Sequence, residues 1–408
     1  MSLNYSQEAI PWCNKYLTEG EPTPYAHIRN AMRVVSSAVR NGRKTAQIRW
    51  LSDTSLWLNG KVIDLDVYSS FVRFQLDYLE TFIRDKILFG ETLEKLGIDI
   101  DFTKLNDNGD VETMGYGPIL STAELSLKSN GDAQKLFDKL EECGMIKRSD
   151  DGVKWDLLEA ELWIANIHKA VSFLQILVHI SQGSAGRCTE ETKMQCTNSS
   201  VGRRHLFVTP GLNTLCIWSN YWKGTTKAGT IKEVLRVLPY QVSRLVFVMV
   251  RLVRPVSLFY IARHTVLASA RPALLSTYST MLWATLASSL NATQIYDNCV
   301  SFFASPYRDR PSPFEFELGT RMHRQFVVAV QRKTIPKSPL YSPTMSGVSI
   351  GDLQAGRSAQ TLQQNYAVEQ CTISREKEFI EHYIFYSQLW HKFLGIPTEG
   401  SKDARYNV

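Results

Sequence analysis

The stretch WDLLEAELWIANIHKAVSFLQILVHIS, residues 155–181, runs directly into QGSAGRCTEE, residues 182–191, and these two segments decide the fold. The first segment is strongly apolar with helical spacing, which predicts one long buried helix. The second contains Gly186, then Arg187, and places Glu190 three residues after the arginine. We therefore expect a core helix that ends at a loop where charged residues of functional interest begin.

Strands and a further helix flank this core helix. On its C-terminal side, RHLFVTP, NTLCIWSNYW and EVLRVLP predict antiparallel strands, and the turn KGTTKAGTIK places Lys223 and Lys227 at a hairpin tip. On its N-terminal side, QIRWLSDTSLWLNGKVIDL alternates around Asn59–Gly60, which is typical of a hairpin. VYSSFVRFQLDYLETFIRDKILFG then predicts an amphipathic helix with Gly90 as its C-cap. With helices again at residues 240–253 and from about Gly319, the chain is predicted to be mainly α with a small antiparallel β-sheet.

The charge of the 408-residue chain is unevenly distributed. Its formal net charge is +6, but residues 1–182 carry 20 Lys and Arg against 26 Asp and Glu, and residues 183–408 carry 26 against 14. The basic second part predicts a phosphate-binding surface, with an ordinary basic surface as the alternative. Arg43 and Lys44 belong to a weakly helical N-terminal run, whose basic face would track DNA or simply be solvated.

Cysteine usage and hydropathy indicate a protein of a reducing compartment. The seven cysteines are scattered, with no CxxC pair and no Cys/His ligand spacing, so we expect free thiols and no metal site. The segment MSLNYSQEAIPW lacks the basic start and apolar run of a secretion signal. Residues 244–263 and 272–290 are apolar but interrupted by Arg, or by Ser, Thr and Pro, and we interpret both as buried helices rather than membrane spans.

Four segments supply the groups that metal-free phosphodiester cleavage needs. That chemistry takes a nucleophile in line, cations beside the non-bridging oxygens and an acid for the departing oxygen. Arginine suits the cation role because its planar fork donates two hydrogen bonds to one phosphate and stays protonated. In order, SAGRCTEE carries Arg187, NYWKGTTKAG carries Lys223, RMHRQFVVAVQRK carries Arg324, and LQAGRSAQTLQQNYAVE carries Arg357 and Tyr366.

These segments resemble the catalytic boxes of the tyrosine recombinase family, in the order that the family shows and with strands between the first two. Tyr366 follows Arg357 by nine residues, which is the family's spacing between its last histidine and its tyrosine. The resemblance is closer to the recombinases of Crypton-type transposons and to related fungal domains beside RecQ-like helicases. It extends to QIRWLSDTSLWLNGKVIDL, YWKG, LRVLP and DLQAGRS, and so spans roughly residues 45–370.

The resemblance implies an architecture of two domains that close on DNA as a C-shaped clamp. A helical N-terminal DNA-binding domain would cover residues 1–165, a catalytic domain residues 166–395 and a flexible tail residues 396–408. It implies partners as well: double-stranded DNA and further copies of the chain, in a dimer or tetramer on the DNA. The implied function is excision and integration of a mobile element in the nucleus.

The resemblance also implies a mechanism without metal, nucleotide or other cofactor. Tyr366 would attack a DNA phosphate and form a 3′-phosphotyrosyl link, and a free 5′-hydroxyl from another strand would reverse the step. Arg187, Arg324, Lys223 and Arg357 would surround that phosphate. Further cations are expected to contact the DNA elsewhere: Arg321, Lys227, Arg236, Arg203, Arg204, Arg43 and Lys44.

The C-terminal segment EKEFIEHYIFYSQLWHKFLG predicts a helix with two possible docking places. Its apolar residues recur at helical spacing: Phe379, Ile380, Ile384, Phe385, Leu389 and Phe393. The helix would dock on a neighbouring chain or pack on its own domain. In the first case, removal of residues 375–408 would leave binding to a single DNA site intact and abolish the higher-order complex.

Three positions depart from the family pattern. Arg321 stands where the second box opens with His, Gln325 where it ends with His, and Arg357 where the last box has His or Trp. Since arginine does not readily donate and recover a proton near neutral pH, Lys223 becomes the main candidate for the acid. Two histidines are local alternatives: His323 and His205. The departures also favour another function, a DNA-binding protein that has lost cleavage, and the resemblance to helicase-linked domains favours a third, an accessory protein of a helicase.

Each proposed residue also has a structural interpretation. Arg187 would be a helix-cap arginine paired with a nearby glutamate, Lys223 a solubilising residue at a hairpin tip, and Tyr366 a packed core residue. The second box has alternative registers at Arg321 and Arg332.

Overall fold

A computed structural model of the chain describes residues 24, 27–28, 31–32, 35, 48–105, 107–109, 111–150, 152–219, 234–263, 271–285, 288–314, 316–334 and 377–400. By their backbone contacts the residues fall into two compact units, Met1–Val62 and Ile63–Val408. The domain boundaries expected after residues 165 and 395 stay predictions.

In the first unit, β1 (Ile48–Trp50) and β2 (Ser55–Leu58) pair antiparallel, with Arg49 opposite Trp57. The turn after β2 has positive φ angles at both central residues, 47° at Asn59 and 91° at Gly60, as a type I′ turn requires. The Asn-Gly turn predicted from the sequence is therefore confirmed. β3 (Lys61–Asp64) follows the turn and leads into the second unit.

Helices make up most of the second unit. They are α1 (Leu65–Lys86), α2 (Gly131–Glu142), α3 (Leu157–Ser181), the single turn α4 (Cys188–Glu191), α5 (Tyr240–Phe247), α6 (Arg254–Arg263), α7 (Arg271–Thr280), α8 (Ala292–Ala304), α9 (Thr320–Thr334) and α10 (Lys377–Leu394). A π-helical turn, Val248–Val253, joins α5 to α6. Short 3₁₀ turns lie in the connection between α1 and α2: Phe102–Lys104, Thr122–Leu125 and Leu127–Ser129.

The second unit also contains two antiparallel sheets. The hairpin of β4 (Ile146–Ser149) and β5 (Gly152–Trp155) was not predicted, because IKRS and GVKW have too few apolar residues to give an alternating pattern. The predicted strands form the sheet β6–β7–β8, with bounds Leu206–Val208, Leu215–Ser219 and Val234–Val237. A mainly α fold with small antiparallel sheets is thus confirmed.

The long helix α3 is the centre of the second unit. Asp156 caps it by accepting hydrogen bonds from the backbone N–H groups of Leu158 and Glu159 at 3.1 and 3.2 Å, an arrangement that contributes about 1 kcal/mol. Near its C-terminal end α3 is buried on every side, and Leu174, Leu177 and the other residues there are at most 2% exposed. This end is enclosed because α3 packs against α1, α5, α8 and α10.

An aromatic cluster fixes α9 against α1 and α8. Tyr68 of α1 lies with its ring centroid 4.5 Å from that of Phe326 of α9. Phe71 of α1 meets Phe302 of α8 edge to face at 5.5 Å, and Phe303 stacks nearby on Phe71 at 6.0 Å. Buried aromatic pairs of this kind contribute about 0.5–1.5 kcal/mol each beyond their buried area. The helix that carries Arg324 is therefore held rigidly.

Helix α10 packs on its own unit, against β8, α1 and α3. Trp390 is 1% exposed, and its Nε1 donates to the carbonyl oxygen of Ile180 at 2.9 Å. The Oγ of Ser387 accepts from the backbone N–H of Val237 at 3.2 Å. Of the two packings that the sequence left open, the structure has the helix on its own domain.

The residues after α10 are packed as far as Gly400, where the sequence predicted a flexible tail from residue 396. Ile396 is 3% exposed, and Thr398 Oγ1 lies 2.8 Å from Nδ1 of His391. The carbonyl oxygen of Pro397 accepts from the backbone N–H of Tyr240 at 3.2 Å. These contacts correct the prediction for residues 396–400, and residues 401–408 lie outside the described residues.

Among the described residues, the helical stretch Tyr240–Arg263 is long and apolar enough to cross a membrane, but 83% of its apolar window is buried in the protein. Its arginines have protein partners. Arg251 donates to the carbonyl oxygen of Ile119 at 3.0 Å, and Arg254 donates to that of Leu282 at 2.8 Å. The stretch packs as a core helix does, which agrees with the interpretation drawn from the sequence.

Candidate functional site

The segment Ser184–Cys188 joins the core helix α3 to α4 and is tied to α9. The Oγ of Ser184 donates to Oε1 of Gln331 at 2.6 Å. The carbonyl oxygen of Ala185 accepts from Nε of Arg324 at 2.9 Å. The Sγ of Cys188 lies 3.0 Å from Oγ1 of Thr320. The second predicted arginine is thus bonded to the segment that contains the first.

Arg236 of β8 also holds the segment Ser184–Cys188, from the side of the sheet β6–β7–β8. It is 1% exposed, and its Nε donates to the carbonyl oxygen of Ser184 at 2.7 Å. Its Nη1 donates to Oγ of Ser219, the last residue of β7, at 3.0 Å. We had expected Arg236 to contact DNA, but a side chain buried to this extent, with both ends bonded to protein, is placed to hold structure instead.

The side chain of Arg187 is half-buried, with 35% of it exposed. It begins α4, where its backbone N–H donates to Oε2 of Glu190 at 3.0 Å, and its Nη1 lies 3.5 Å from Oε1 of the same glutamate. The folded-back carboxylate explains the preceding glycine, since a Cβ on Gly186 would lie 3.0 Å from Oε2 of Glu190. The ion pair considered from the sequence is present, but it is long and leaves Arg187 accessible.

The electrostatics of this group favour an anion. Burial is the main cause that lowers the pKa of Arg324 to about 10; Glu190 opposes this shift, and the positive charges of Arg187 and Arg236 add to it. Burial likewise lowers the pKa of Arg236, against the attraction of Glu190 and Glu191. The three arginines carry one more formal charge than Glu190 and Glu191 together, so an oxyanion beside Arg187 would meet a net positive field, which the adjacent Glu190 weakens.

Glu191 does not reduce the positive field on the accessible side of Arg187, because the carboxylate of Glu191 faces the protein interior. It is 1% exposed, and its carboxylate lies within hydrogen-bond distance of donors from the end of α3. Nε2 of Gln175 donates to Oε2 at 2.6 Å, Nδ1 of His179 lies 2.6 Å from Oε1, and Nε2 of Gln182 donates to Oε1 at 3.3 Å. These bonds anchor α4 on the core helix and so fix the start of the turn that carries Arg187.

The two histidines considered as alternative acids are structural residues, His323 fully buried and His205 partly buried. His323 is fully buried, its Nε2 lies 2.8 Å from the hydroxyl of Tyr68, and burial, with His179 and Arg324, lowers its pKa. Nδ1 of His205 accepts from the backbone N–H of Gln195 at 3.2 Å, and burial lowers the pKa of His205 to about 4. Neither histidine carries a proton to donate near neutral pH.

Arg203 and Arg204 were predicted to contact DNA; the structure corrects the prediction for Arg204, whereas Arg203 is only partly buried and its predicted role stays open. Arg204 is 1% exposed, forms an ion pair with Asp107, and its guanidinium lies 4.3 Å from the centroid of the Phe207 ring. Arg203 donates to the carbonyl oxygen of Gly109 and lies over the same ring at 5.0 Å. The guanidinium of Arg204, enclosed between a protein acceptor and aromatic faces, is a packing group.

Arg321 is exposed on the first turn of α9, one turn from Arg324, so its predicted DNA-contacting role stays open. The remaining predicted site residues lie outside the described residues: Tyr366, Lys223, Lys227, Arg357, Arg43 and Lys44. The strands on either side of the predicted lysine hairpin are described, and Ser219 of β7 pairs there with Val234 of β8.

The cluster contains residues whose role the sequence did not reveal. Arg236 could have been recognised as a charged residue inside the apolar strand VLRV, which needs a polar partner once buried. No local pattern identifies Ser184 and Gln331, which are 147 residues apart. Among the described residues, no group of three or more His, Cys, Asp or Glu is arranged to hold a metal ion. The described cysteines are free thiols, as predicted: Cys143, Cys188, Cys196, Cys216 and Cys299.

Comparisons of the chain with models of known protein families, with curated proteins and with solved structures gave no match.

Proposed function

We propose that the chain cleaves and rejoins DNA strands as a tyrosine recombinase does, in excision and integration of a mobile element. One observation carries the proposal. Arg324 is bonded to the segment that leads into Arg187, although Ala185 and Arg324 are 139 residues apart. Of the two arginines assigned to a phosphate clamp from the sequence, Arg187 therefore belongs to this short loop and Arg324 of α9 is hydrogen-bonded to it.

In this proposal the arginines hold the scissile phosphate. Arg187 and Arg324 bind its non-bridging oxygens, with Arg357 as a further cation, and stabilise the charge that develops there. The phenolic oxygen of Tyr366 attacks phosphorus, the bond to the 5′-oxygen breaks, and Lys223 protonates the departing oxygen. The 5′-hydroxyl of another strand later attacks the 3′-phosphotyrosyl link and releases Tyr366. The reaction conserves the phosphodiester energy, so it consumes no nucleotide.

Double-stranded DNA is the proposed partner, and two or four chains assemble on it in the nucleus. The helical N-terminal domain and the catalytic domain close on the duplex as a C-shaped clamp. Support comes from the basic second part of the chain, where Lys and Arg number 26 against 14 Asp and Glu. A surface of this charge binds phosphates regardless of sequence, and its affinity falls steeply with salt.

The proposal is tested with a DNA duplex that carries a nick close to the cleavage site, which traps a recombinase after its first step. We expect a protein–DNA adduct that survives denaturing electrophoresis and is removed by protease, without added metal or nucleotide. DNA affinity is measured in parallel at low and high salt. A chain that binds no DNA even at low salt would contradict the proposal and favour the accessory protein of a helicase.

One observation favours a second function, that of a DNA-binding protein derived from such a recombinase that no longer cleaves. Desolvation lowers the pKa of both His323 and His205, so neither replaces the histidines that the family has at its second and last boxes. This function predicts salt-dependent DNA binding without an adduct. The same nicked substrate therefore separates the two.

A further inference from the structure

We infer that Arg236 is a positioning residue for the proposed reaction, which couples the segment that leads into Arg187 to the strand end that precedes Lys223. The inference rests on the proposed function for its catalytic meaning. Its geometry is independent of that function: one guanidinium, 1% exposed, bonds Ser184 through Nε at 2.7 Å and Ser219 through Nη1 at 3.0 Å.

The two hydrogen-bond partners of Arg236 are close in sequence to residues of the proposed reaction. Ser184 is three residues before Arg187, and its own Oγ bonds Gln331 of α9, the helix of Arg324. Ser219 ends β7, four residues before Lys223. The planar side chain of Arg236 thus holds two segments at a fixed separation: the loop that leads into Arg187 and the strand end that precedes Lys223.

Arginine is suited to this role, whereas a lysine or an apolar residue is not. Its Nε and Nη1 donate in fixed directions in one plane, so two acceptors are held at once. Replacing Arg236 alone leaves the buried acceptors of Ser184 and Ser219 without this donor, so some stability is lost together with the position of the two backbone segments. A matched control is therefore needed to separate the two effects.

Arg204 provides a matched control. It is also 1% exposed, and it precedes β6 of the same sheet, but its ion pair is with Asp107 and it touches neither Ser184 nor Ser219 in the contacts that the structure describes. The test compares Arg236→Met, Arg236→Lys, Ser219→Ala and Arg204→Met in the full chain. Ser219→Ala removes one acceptor of Arg236 and keeps the arginine. This variant therefore tests the link between the two segments even if Arg236→Met fails to fold.

Two readouts are taken for each variant: the adduct rate on nicked DNA with saturating protein, and amide hydrogen exchange over residues 183–191 and 215–219. In Arg236→Met we expect an adduct rate lower by on the order of a hundredfold with unchanged DNA affinity. We expect faster exchange in both segments together. Arg236→Lys and Ser219→Ala should lose less, and Arg204→Met should leave both readouts near the wild-type values.

The exchange readout separates failure of this inference from failure of the proposed function. If the wild-type chain forms no adduct, the proposed function fails, and coupled exchange in the two segments still decides whether Arg236 links them. If Arg236→Met and Ser219→Ala leave exchange over residues 183–191 and 215–219 unchanged, or lower the adduct rate no more than Arg204→Met does, the inference is overturned.

Discussion

The Nε of Arg324 donates to the carbonyl oxygen of Ala185 at 2.9 Å, across 139 residues of sequence. This bond makes the position of one clamp arginine depend on the loop that leads into the other. Both side chains are half-buried, but Arg324 bonds a backbone carbonyl oxygen whereas Arg187 has a 3.5 Å contact with Glu190, so they differ in how far they also stabilise the fold. The difference gives separate expectations for the two substitutions.

Arg187→Lys is predicted to slow adduct formation by about a hundredfold or more, because the charge remains but the two-pronged contact with phosphate is lost. Thermal stability should change little, since the only ion pair described for Arg187 is the 3.5 Å contact with Glu190. Adduct rate, DNA affinity and melting temperature are measured on the same preparation. A parallel loss in all three would identify Arg187 as a structural arginine.

Arg324→Lys is predicted to reduce both stability and adduct rate. The bond to Ala185 and the phosphate contact are lost together, and a buried acceptor left unsatisfied costs about 1–3 kcal/mol. The measurement is urea denaturation combined with the adduct assay. If stability is unchanged, the contact between Arg324 and Ala185 does not hold the loop in solution.

Arg321→Gln is predicted to weaken DNA binding with little effect on stability, because Arg321 is exposed at the start of α9. If it contacts one phosphate, the slope of log affinity against log salt should fall in magnitude by about one. Arg310→Gln, an exposed arginine after α8, is the control and should leave the slope unchanged. Equal slopes for both variants would remove Arg321 from the DNA surface.

Stability is predicted to fall as the pH is lowered below about 6.5, because buried histidines must take up protons on unfolding. Burial lowers the pKa of His391 to about 3, against opposing hydrogen bonds to the backbone of Val237 and Ser181. Between the unfolded and folded pKa values the unfolded chain binds the extra proton. The free energy of unfolding therefore decreases by about 1.4 kcal/mol per pH unit for each such histidine.

The variant His391→Gln tests this sign and size. Urea denaturation at pH 7, 6 and 5 should give a pH slope smaller by about 1.4 kcal/mol per unit than that of the wild type. Lys392→Gln, on the exposed side of the same helix turn, should keep the wild-type slope. An unchanged slope in His391→Gln would mean that this histidine is not buried in its neutral form.

Helix α10 is predicted to be required for folding rather than only for assembly. Trp390 is 1% exposed and bonded to Ile180, so Trp390→Ala should cost about 3–5 kcal/mol, and removal of residues 375–408 should unfold the second unit. This replaces the expectation that the truncated chain keeps single-site binding. Circular dichroism and DNA affinity of the truncated chain check it, with Lys392→Ala as the neutral control. A folded, DNA-binding truncation would contradict the prediction.

The elements that local pattern determines were predicted well from the sequence. Asn59–Gly60 specifies its own turn, and Asp156 with the apolar run after it specifies α3, because the information lies within a few neighbouring residues. The strands around Cys216 and Leu235 were predicted for the same reason. Helix α2 and the hairpin after it carry weak patterns and were missed, since tertiary packing decides them.

The candidate site was predicted only in part, because its geometry depends on contacts between distant residues. The sequence identified Arg187 and Arg324 but not that a carbonyl oxygen between α3 and α4 joins them. It placed Arg204 and Arg236 on a DNA surface because charge is visible in a sequence and burial is not. Both arginines lie inside the protein, where Asp107 pairs with Arg204 and the carbonyl oxygen of Ser184 accepts from Arg236, which no local pattern shows.

The most direct test of the central claim is the identity of the residue that becomes joined to DNA. Wild-type chain, Tyr366→Phe and, as a control at another tyrosine, Tyr341→Phe are incubated with nicked duplex. The adduct is then digested, and the residue joined to DNA is located by mass spectrometry. The account predicts a phosphotyrosyl link on Tyr366, no adduct in Tyr366→Phe and a normal adduct in Tyr341→Phe, with DNA affinity equal in all three. An adduct that persists in Tyr366→Phe, or a wild-type chain that binds DNA and never forms one, would contradict it.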